Sequence, residues 1–431
     1  MKNQISHVSK VLAAQLLIVF SLCASHNTSK YFPFIERSDQ YVTDKRSYFS
    51  PNVFYTTAST AFNRGGGNAG IPELWGNYDL RDVIDSLQAV QGVAFVNPIE
   101  TVTGTQALVG KSLKFRVSSK IRSNGIVLHY EQKAWKSLFV GGWIPAMFVS
   151  ATGRYLFDRV GSEVSSVNLN YNQLFEQEQQ IDSIRRLTHD LAGFTTNKWS
   201  RSGFGDLDLY LKWNHHFDYR FLMKSIDLNI QGGFTAPTGI LSDRNNPLSV
   251  SVMGNGHWSA YLDLVSEFEL KQDLKVGFMF SYMHQFEHSR NLRLATGNEP
   301  TIFSALIAPV SMSPGDTFKI SPYIILENLS DGLHVQGRYT YLRHDEDKWR
   351  DKRSDQSIQS YLSKGGDFVA QKENISRSRS HYFTFQVTYD SKVALKHYWL
   401  DPLFYLTYDM PMNGNGISKT HHLTIGAQLH F

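Results

Sequence analysis

The sequence predicts an all-β protein, an antiparallel transmembrane β-barrel of about twelve strands (roughly 12 to 14), with short helices in an N-terminal segment and in one outer loop. Three observations lead there. Apolar and polar residues alternate with period two in one stretch after another, as half-buried strands require. Short and long connections alternate along the chain, as they do in outer-membrane barrels. Aromatic residues make up 13% of the 431 while the mean hydropathy is −0.30, the balance of a sheet with one apolar and one polar face rather than of apolar helices. Past the first two dozen residues no apolar run reaches the ~18 residues a spanning helix needs, so a closed barrel is the remaining way to pair every backbone group inside a bilayer.

Residues 1–25 read as a signal peptide. Lys2 and Lys10 flank a positive start, Val11 to Phe20 is apolar, and small residues follow in "SLCAS". Export through a cleaved signal fits the outer membrane as destination. Leu22 precedes Cys23, where a lipoprotein signal would carry a small residue. Cys23 is the only cysteine, so cleavage leaves no disulfide and no thiolate metal site. Losing Lys2 and Lys10 takes the formal charge from +4 to +2, and no basic run points to nucleic acid.

Residues 26–110 form the least regular part. "SPNVFYTTASTAF" is a candidate strand. "RGGGNAG" is a Gly-rich loop without the Lys-Ser/Thr and strand-to-helix setting of a phosphate cradle. In "YDLRDVIDSLQAVQG" Leu80, Val83, Ile84, Leu87 and Val90 share one face, with Asp79 as N-cap and Gly92 as stop. This helix, 79–91, is expected to plug the barrel or to lie on its periplasmic side.

The barrel is expected over 111–431. "KSLKFRVSSKIR" alternates Leu113, Phe115, Val117 and Ile121 with Lys114, Arg116, Ser118, Lys120 and Arg122. A turn at "SNG", 123–125, then leads to strands at Ile126 to Gln132 and Ser137 to Ser150. "GDLDLYLKWNHHF" sets Leu207, Leu209, Leu211 and Trp213 against Asp206, Asp208, Tyr210 and Lys212. "KSIDLNIQGGF" sets Ile226, Leu228, Ile230 and Phe234 against Asp227, Asn229 and Gln231, and "HWSAYLDLVSEFEL" sets Leu262, Leu264 and Phe268 against Asp263, Glu267 and Glu269. Further strands follow near 274–284, 317–328, 333–342, 381–389, 402–410 and 421–431. "KQD" at 271–273 and "LSDG" at 329–332 are tight turns, the second with an Asp-Gly hairpin signal. Long polar loops at 240–255, 286–316 and 343–379 lie outside if the last strand descends to the periplasm. A polar helix with Leu174, Ile181, Ile184, Leu187 and Leu191 on one stripe falls in the outer loop between 151 and 203.

If the polar parity faces the lumen, Lys114, Arg116 and Lys120 stand opposite Asp206, Asp208, Asp227, Asp263, Glu267 and Glu269, with Lys212 among the carboxylates. Such rows would select solutes by charge across a pore. Alternatively, they pair inside a narrow, filled lumen. His284 and His288 in "HQFEHSR" lie about 13 Å apart in an extended strand, too far to share a metal. No cofactor or metal site is expected. "RHDEDKWRDKR" at 343–353 is a charged outer loop suited to solvation or to bridging lipopolysaccharide through cations.

"GFGDLDLYLKW" at 203–213, "GGFTAPTG" at 232–239 and "GNGHWSAYLDL" at 254–264 resemble the outer-membrane barrel family associated with the meta-pathway of phenol degradation, related in style to channels for hydrophobic compounds. The resemblance implies passive transport of small solutes, with hydrophobic or aromatic compounds as the favoured cargo and no catalytic residue to carry over. It also likens Phe431, at the end of the apolar-faced "HHLTIGAQLHF", to the terminal aromatic that barrel assembly machinery reads. The expected function is therefore a passive outer-membrane channel, not an enzyme. A lipase-type or protease-type barrel and a structural or adhesin barrel with a closed lumen are the alternatives, and the oligomeric state is left open.

Overall fold

Alternating side chains commit each stretch to a two-faced strand, and each strand must then pair on both edges. A computed structural model describes residues 29–31, 47–92, 96–102, 108–164, 171–195, 198–218, 223–251, 253, 255–352, 375–391 and 401–431. The signal peptide expected at 1–25, Cys23 included, lies outside them. Among the described residues twelve antiparallel strands close into one barrel. They are β1 (Tyr48–Ala58), β2 (Lys114–Trp135), β3 (Leu138–Phe157) and β4, an interrupted strand made of Lys198–Phe204 and Leu207–Asp218. Then come β5 (Ser225–Ala236), β6 (Ser259–Lys271), β7 (Leu274–Gln285), β8 (Thr317–Ser330), β9 (Leu333–His344), β10 (Ser378–Asp390), β11 (Asp401–Asn415) and β12 (His421–His430). β12 pairs with β11 on one side and closes on β1 on the other, with Tyr48 opposite His430 and Val53 opposite Ile425.

The expected count of about twelve is met, although two strands differ from the sequence reading. The barrel starts at β1, upstream of residue 111, because Tyr48–Ala58 pairs with both β2 and β12. The "SNG" turn does not exist: Ser123, Asn124 and Gly125 continue β2, opposite Val149, Phe148 and Met147. The apolar parity changes there for another reason. Before Ser123 the outward side chains are Lys114, Arg116, Lys120 and Arg122, and after it they are Ile126, Leu128 and Tyr130, all exposed. The strand passes from water into an apolar belt, so its outer face changes while its inner face stays packed. The same outward apolar rule holds on β12, where Leu423 and Ile425 are exposed while His422, Thr424 and His430 are buried.

Among the described residues, tight turns join β2 to β3, β6 to β7 and β8 to β9 at one end. Asp331 and Gly332 link β8 to β9, with Gly332 at φ +76° supplying the left-handed backbone the reversal needs. At the other end stand the long connections. α1 (Leu80–Gln91) and α2 (Tyr171–Leu191) both belong to this loop end, α1 between β1 and β2 and α2 between β3 and β4. α1 is therefore not at the turn end, the periplasmic side in the sequence reading. It packs with α2 at the mouth, against the inner faces of the protruding strands, through Leu80, Val83, Ile84, Phe115, Val117, Ile181 and Ile184. Asp79 caps α1 by accepting from Arg81 N at 3.0 Å, and Gly92 ends it. α2 buries Ile181 and Ile184 as expected, but its face is completed by Arg185, Thr188 and His189 while Leu191 is exposed. His189 meets Tyr78 Oη at 2.8 Å, and burial holds its imidazole down to about 3. Two small three-stranded ribbons complete the loop end. One joins Ala61–Phe62, Asn68–Ala69 and Ile417–Ser418, and the other joins His288–Arg293, Ile307–Ser313 and Lys348–Asp351.

Candidate functional site: the lumen network and the mouth cavity

The lumen is built from the inward parity of the strands, and these side chains are buried against one another. Tyrosines set the pattern. Tyr210 on β4 lies directly opposite Gly141 on β3, where any Cβ would collide with its ring. The ring crosses that glycine and donates to Glu131 on β2 at 2.7 Å. Tyr323 on β8 crosses Gly277 on β7 in the same way and reaches Glu267 on β6 at 3.1 Å. Tyr261 crosses Gly233 to reach Asp208 at 2.8 Å, and Tyr405 crosses Gly426 to reach Asn52 at the β12–β1 seam. Each tyrosine therefore lies flat against the wall and ties three strands together. Without a side chain on the glycine the ring finds a groove, and the hydroxyl finds an acceptor beyond it.

Lysines complete two of these units. Lys212 Nζ meets Glu131 Oε1 at 2.5 Å, and Tyr210 Oη also contacts His129 Nε2 at 2.6 Å. Lys275 Nζ lies 2.8 Å from Glu327 and 3.4 Å from Glu267. Farther round, Thr384 donates to Asp409 at 2.5 Å and Arg338 lies 4.0 Å from the same carboxylate. Cations and carboxylates are thus interleaved round the wall.

The sequence-predicted residues divide accordingly. Asp208, Lys212, Asp227, Asp263 and Glu267 are buried and face the lumen. Asp227 meets His216 Nδ1 at 2.6 Å, and Ser281 donates to Asp263 at 2.5 Å. Glu269, half-buried near the turn end, accepts from Ser225 at 3.1 Å and lies 3.4 Å from Lys224. Lys114, Arg116 and Lys120 do not face them. They point outward above the belt, because the inner face of the protruding β2 carries the apolar residues that α1 and α2 cover. Arg116 is 3.5 Å from Asp158 there. Two opposed rows of charge across the lumen are therefore not formed.

Asp206 has a structural task. It sits in the break of β4, where Gly239 N donates to its Oδ1 at 2.7 Å, Thr238 Oγ1 donates to Gly205 O at 2.8 Å, and Gly205 N donates to Pro145 O at 2.7 Å. Asp206 N lies 3.2 Å from Met253 Sδ. Segments 203–213, 232–239 and the approach to 254–264, which carry the family resemblance, meet at this break. Of the charged residues in "HQFEHSR", His284 pairs with Asp316 at 2.7 Å, and Glu287 accepts from Ser311. The described residues hold no cluster of three or more metal-ligating side chains. Thr317 Oγ1, His344 and Asp347 form a hydrogen-bonded chain of 2.9 and 2.8 Å, with Thr317 only 6% exposed.

Above the lumen, at the loop end, lies a cavity of about 480 Å³. Its walls come from the stretch Leu241 to Ser251 and Asn255, from the ribbon that carries Arg290, Leu292, Arg293, Met312 and Trp349, and from Tyr31 and Trp75. Trp75 Nε1 donates to Tyr31 Oη at 2.5 Å, which sets both rings at the edge. Sequence reading missed this site because its residues are scattered over loops with no common period. A weak signal was present in the arginines of the "NPLSV" and "HSRNLR" neighbourhoods, Arg244, Arg290 and Arg293.

No family model matches the chain, and no curated protein matches it. Among solved structures it is similar to an outer membrane channel from Pseudomonas putida F1, at 9% identity over 92% of this chain and 100% of that one, with a TM-score of 0.48. It is also similar to a deletion mutant of the TodX monoaromatic hydrocarbon channel, at 10% identity over 96% and 98% with a TM-score of 0.36. A Pseudomonas aeruginosa FadL homologue aligns at 9% identity over 90% of each chain, with a TM-score of 0.31.

Proposed function

We propose that the protein is a passive outer-membrane channel for small, hydrophobic or aromatic solutes, exported through a cleaved signal peptide, with the loop end outside. The observation that carries this reading is the cavity of about 480 Å³, edged by Trp75, Tyr31 and Trp349, at the mouth of a barrel with an apolar belt. A site of that size and mixed lining collects one small molecule. Its place at the loop end puts it where a solute would meet the protein first.

The orientation and the lipid partner rest on the outward cations. Register brings Lys120, Thr152 and Lys198 to one level on β2, β3 and β4, with Arg122 and Arg154 on either side. This basic band lies directly above Ile126 and Leu128, the level at which lipopolysaccharide phosphates border the apolar layer. Phe431, 54% exposed and held by its backbone bond to Ser47 O at 3.0 Å, is available to barrel assembly machinery at the opposite end.

The test is flux of toluene or phenol into proteoliposomes, with planar-bilayer recording beside it. Purified protein should accelerate uptake over empty vesicles. Asp263→Lys, inside the lumen, should shift the reversal potential, whereas Lys114→Glu, outside it, should not. Absence of any flux or conductance would favour the second reading, a structural barrel with a closed lumen. The observation behind that alternative is the burial of the lumen side chains, which requires some of them to move before a solute passes.

A further inference from the structure

The mouth cavity holds more positive charge than its own carboxylates engage. Asp347 accepts from His344 Nε2 at 2.8 Å and from Gly315 N at 3.0 Å, and Asp243 accepts from Asn245 N at 2.9 Å. Arg293 is committed to the fold through the carbonyls of Arg244, Ser304 and Ala192, at 2.5, 2.6 and 3.1 Å. Arg201 and Arg244 are exposed at the rim and make no ion pair among the described residues.

Arg290 differs from all of these. Its Nη2 donates to Asn255 Oδ1 at 2.9 Å, its Nε is buried without an acceptor, and it too has no ion pair among the described residues. Burial with no compensating carboxylate pulls the guanidinium down to about 10. A desolvated guanidinium with an idle N–H is costly alone and well suited to a planar anion. Beside it the wall is apolar, with Leu292, Ile302 and Met312.

We propose that this cavity binds a small organic carboxylate, with Arg290 on the carboxylate and Trp75, Leu292, Ile302, Met312 and Trp349 around the apolar part. The proposal rests on the channel reading and names the solute class that the mouth collects. It places charge recognition at the mouth, where a single half-buried guanidinium selects, and leaves the lumen pairs to hold the wall.

Binding of benzoate and of benzyl alcohol, similar in size but differing in charge, is measured by calorimetry on the full detergent-purified barrel. Benzoate should bind at least tenfold more tightly. Arg290→Gln should abolish that preference while leaving benzyl alcohol unchanged, and Arg244→Gln should keep the preference. Equal affinity for the two probes, or a preference that survives in Arg290→Gln, overturns the proposal. If Arg290→Gln does not give a folded, heat-modifiable barrel, competition in the parent protein decides. Cyclohexanecarboxylate should displace benzoate and benzylamine should not; displacement by benzylamine overturns the proposal. Binding is read without transport, so the two readings fail separately. Benzoate bound without flux of any solute removes the channel, whereas flux without a charge preference in binding removes the carboxylate site.

Discussion

Leu209 tests where the membrane lies. It faces outward on β4, opposite Gly142, and Gly142 is opposite Tyr130 on β2. The outer face of β2 turns apolar just past Asn124, six residues before Tyr130. Six residues on a strand tilted by about 40° descend about 15 Å, close to the middle of an apolar band about 25 Å tall. Leu209→Arg therefore places a guanidinium near the midplane and should destabilise the folded barrel by about 2 to 4 kcal/mol. Arg122→Leu, above the boundary on the same wall, should change stability by less than about 0.5 kcal/mol, as surface substitutions do. The assay is reversible urea unfolding in lipid vesicles, followed by tryptophan fluorescence. A Leu209→Arg variant as stable as the parent, or an Arg122→Leu variant gaining as much as Leu209→Arg loses, would refute the placement and point to a sheet in water.

The lumen pairs give a second expectation. Glu131 and Lys212 side chains are 1% and 7% exposed and 2.5 Å apart, so Lys212→Met leaves a buried carboxylate whose remaining partner is a phenol, at a cost of about 3 to 5 kcal/mol. Adding Glu131→Gln should recover much of that loss in the same unfolding assay, and strict additivity would show that the pair is not coupled. At the mouth, burial first, and then Asp79, Glu299 and Asp85, raise Asp82 from 3.8 to about 6. A carboxyl that holds its proton more tightly in the folded state loses stability as pH rises from about 4 through about 6. Asp82→Asn should therefore slow amide exchange in α1 at pH 7 and leave it unchanged at pH 4, after correction for intrinsic rates; equal effects at both pH values would contradict the shift.

Much of the barrel was legible because a strand in a bilayer obeys one rule along its length. On β5, β6 and β12 the apolar parity faces outward from one end of the strand to the other, so alternation alone assigns the two faces. β2 defeats that rule because it is 22 residues long and runs beyond the apolar belt. Its outward face is Lys and Arg above Ser123 and Ile and Leu below, so a single strand shows two opposite apolar parities and reads as two strands with a turn. The same confusion sent Lys114, Arg116 and Lys120 into the lumen. Parity tells which residues share a face, but only the medium on each side tells which face is inside, and that medium changes along a protruding strand. The charged residues that face inward, from Asp208 to Glu267, lie where their strands run within the belt, below any protruding part. What could not be read is what those residues touch. Glu131 was passed over because Lys212 and Tyr210, its partners, are about 80 residues away in sequence, and the glycines that let the tyrosines lie flat carry no pattern of their own. The mouth cavity is harder still, since Arg290 acquires its meaning from a half-buried position with an enclosed Nε and no carboxylate beside it, a property of three loops meeting and not of any one of them.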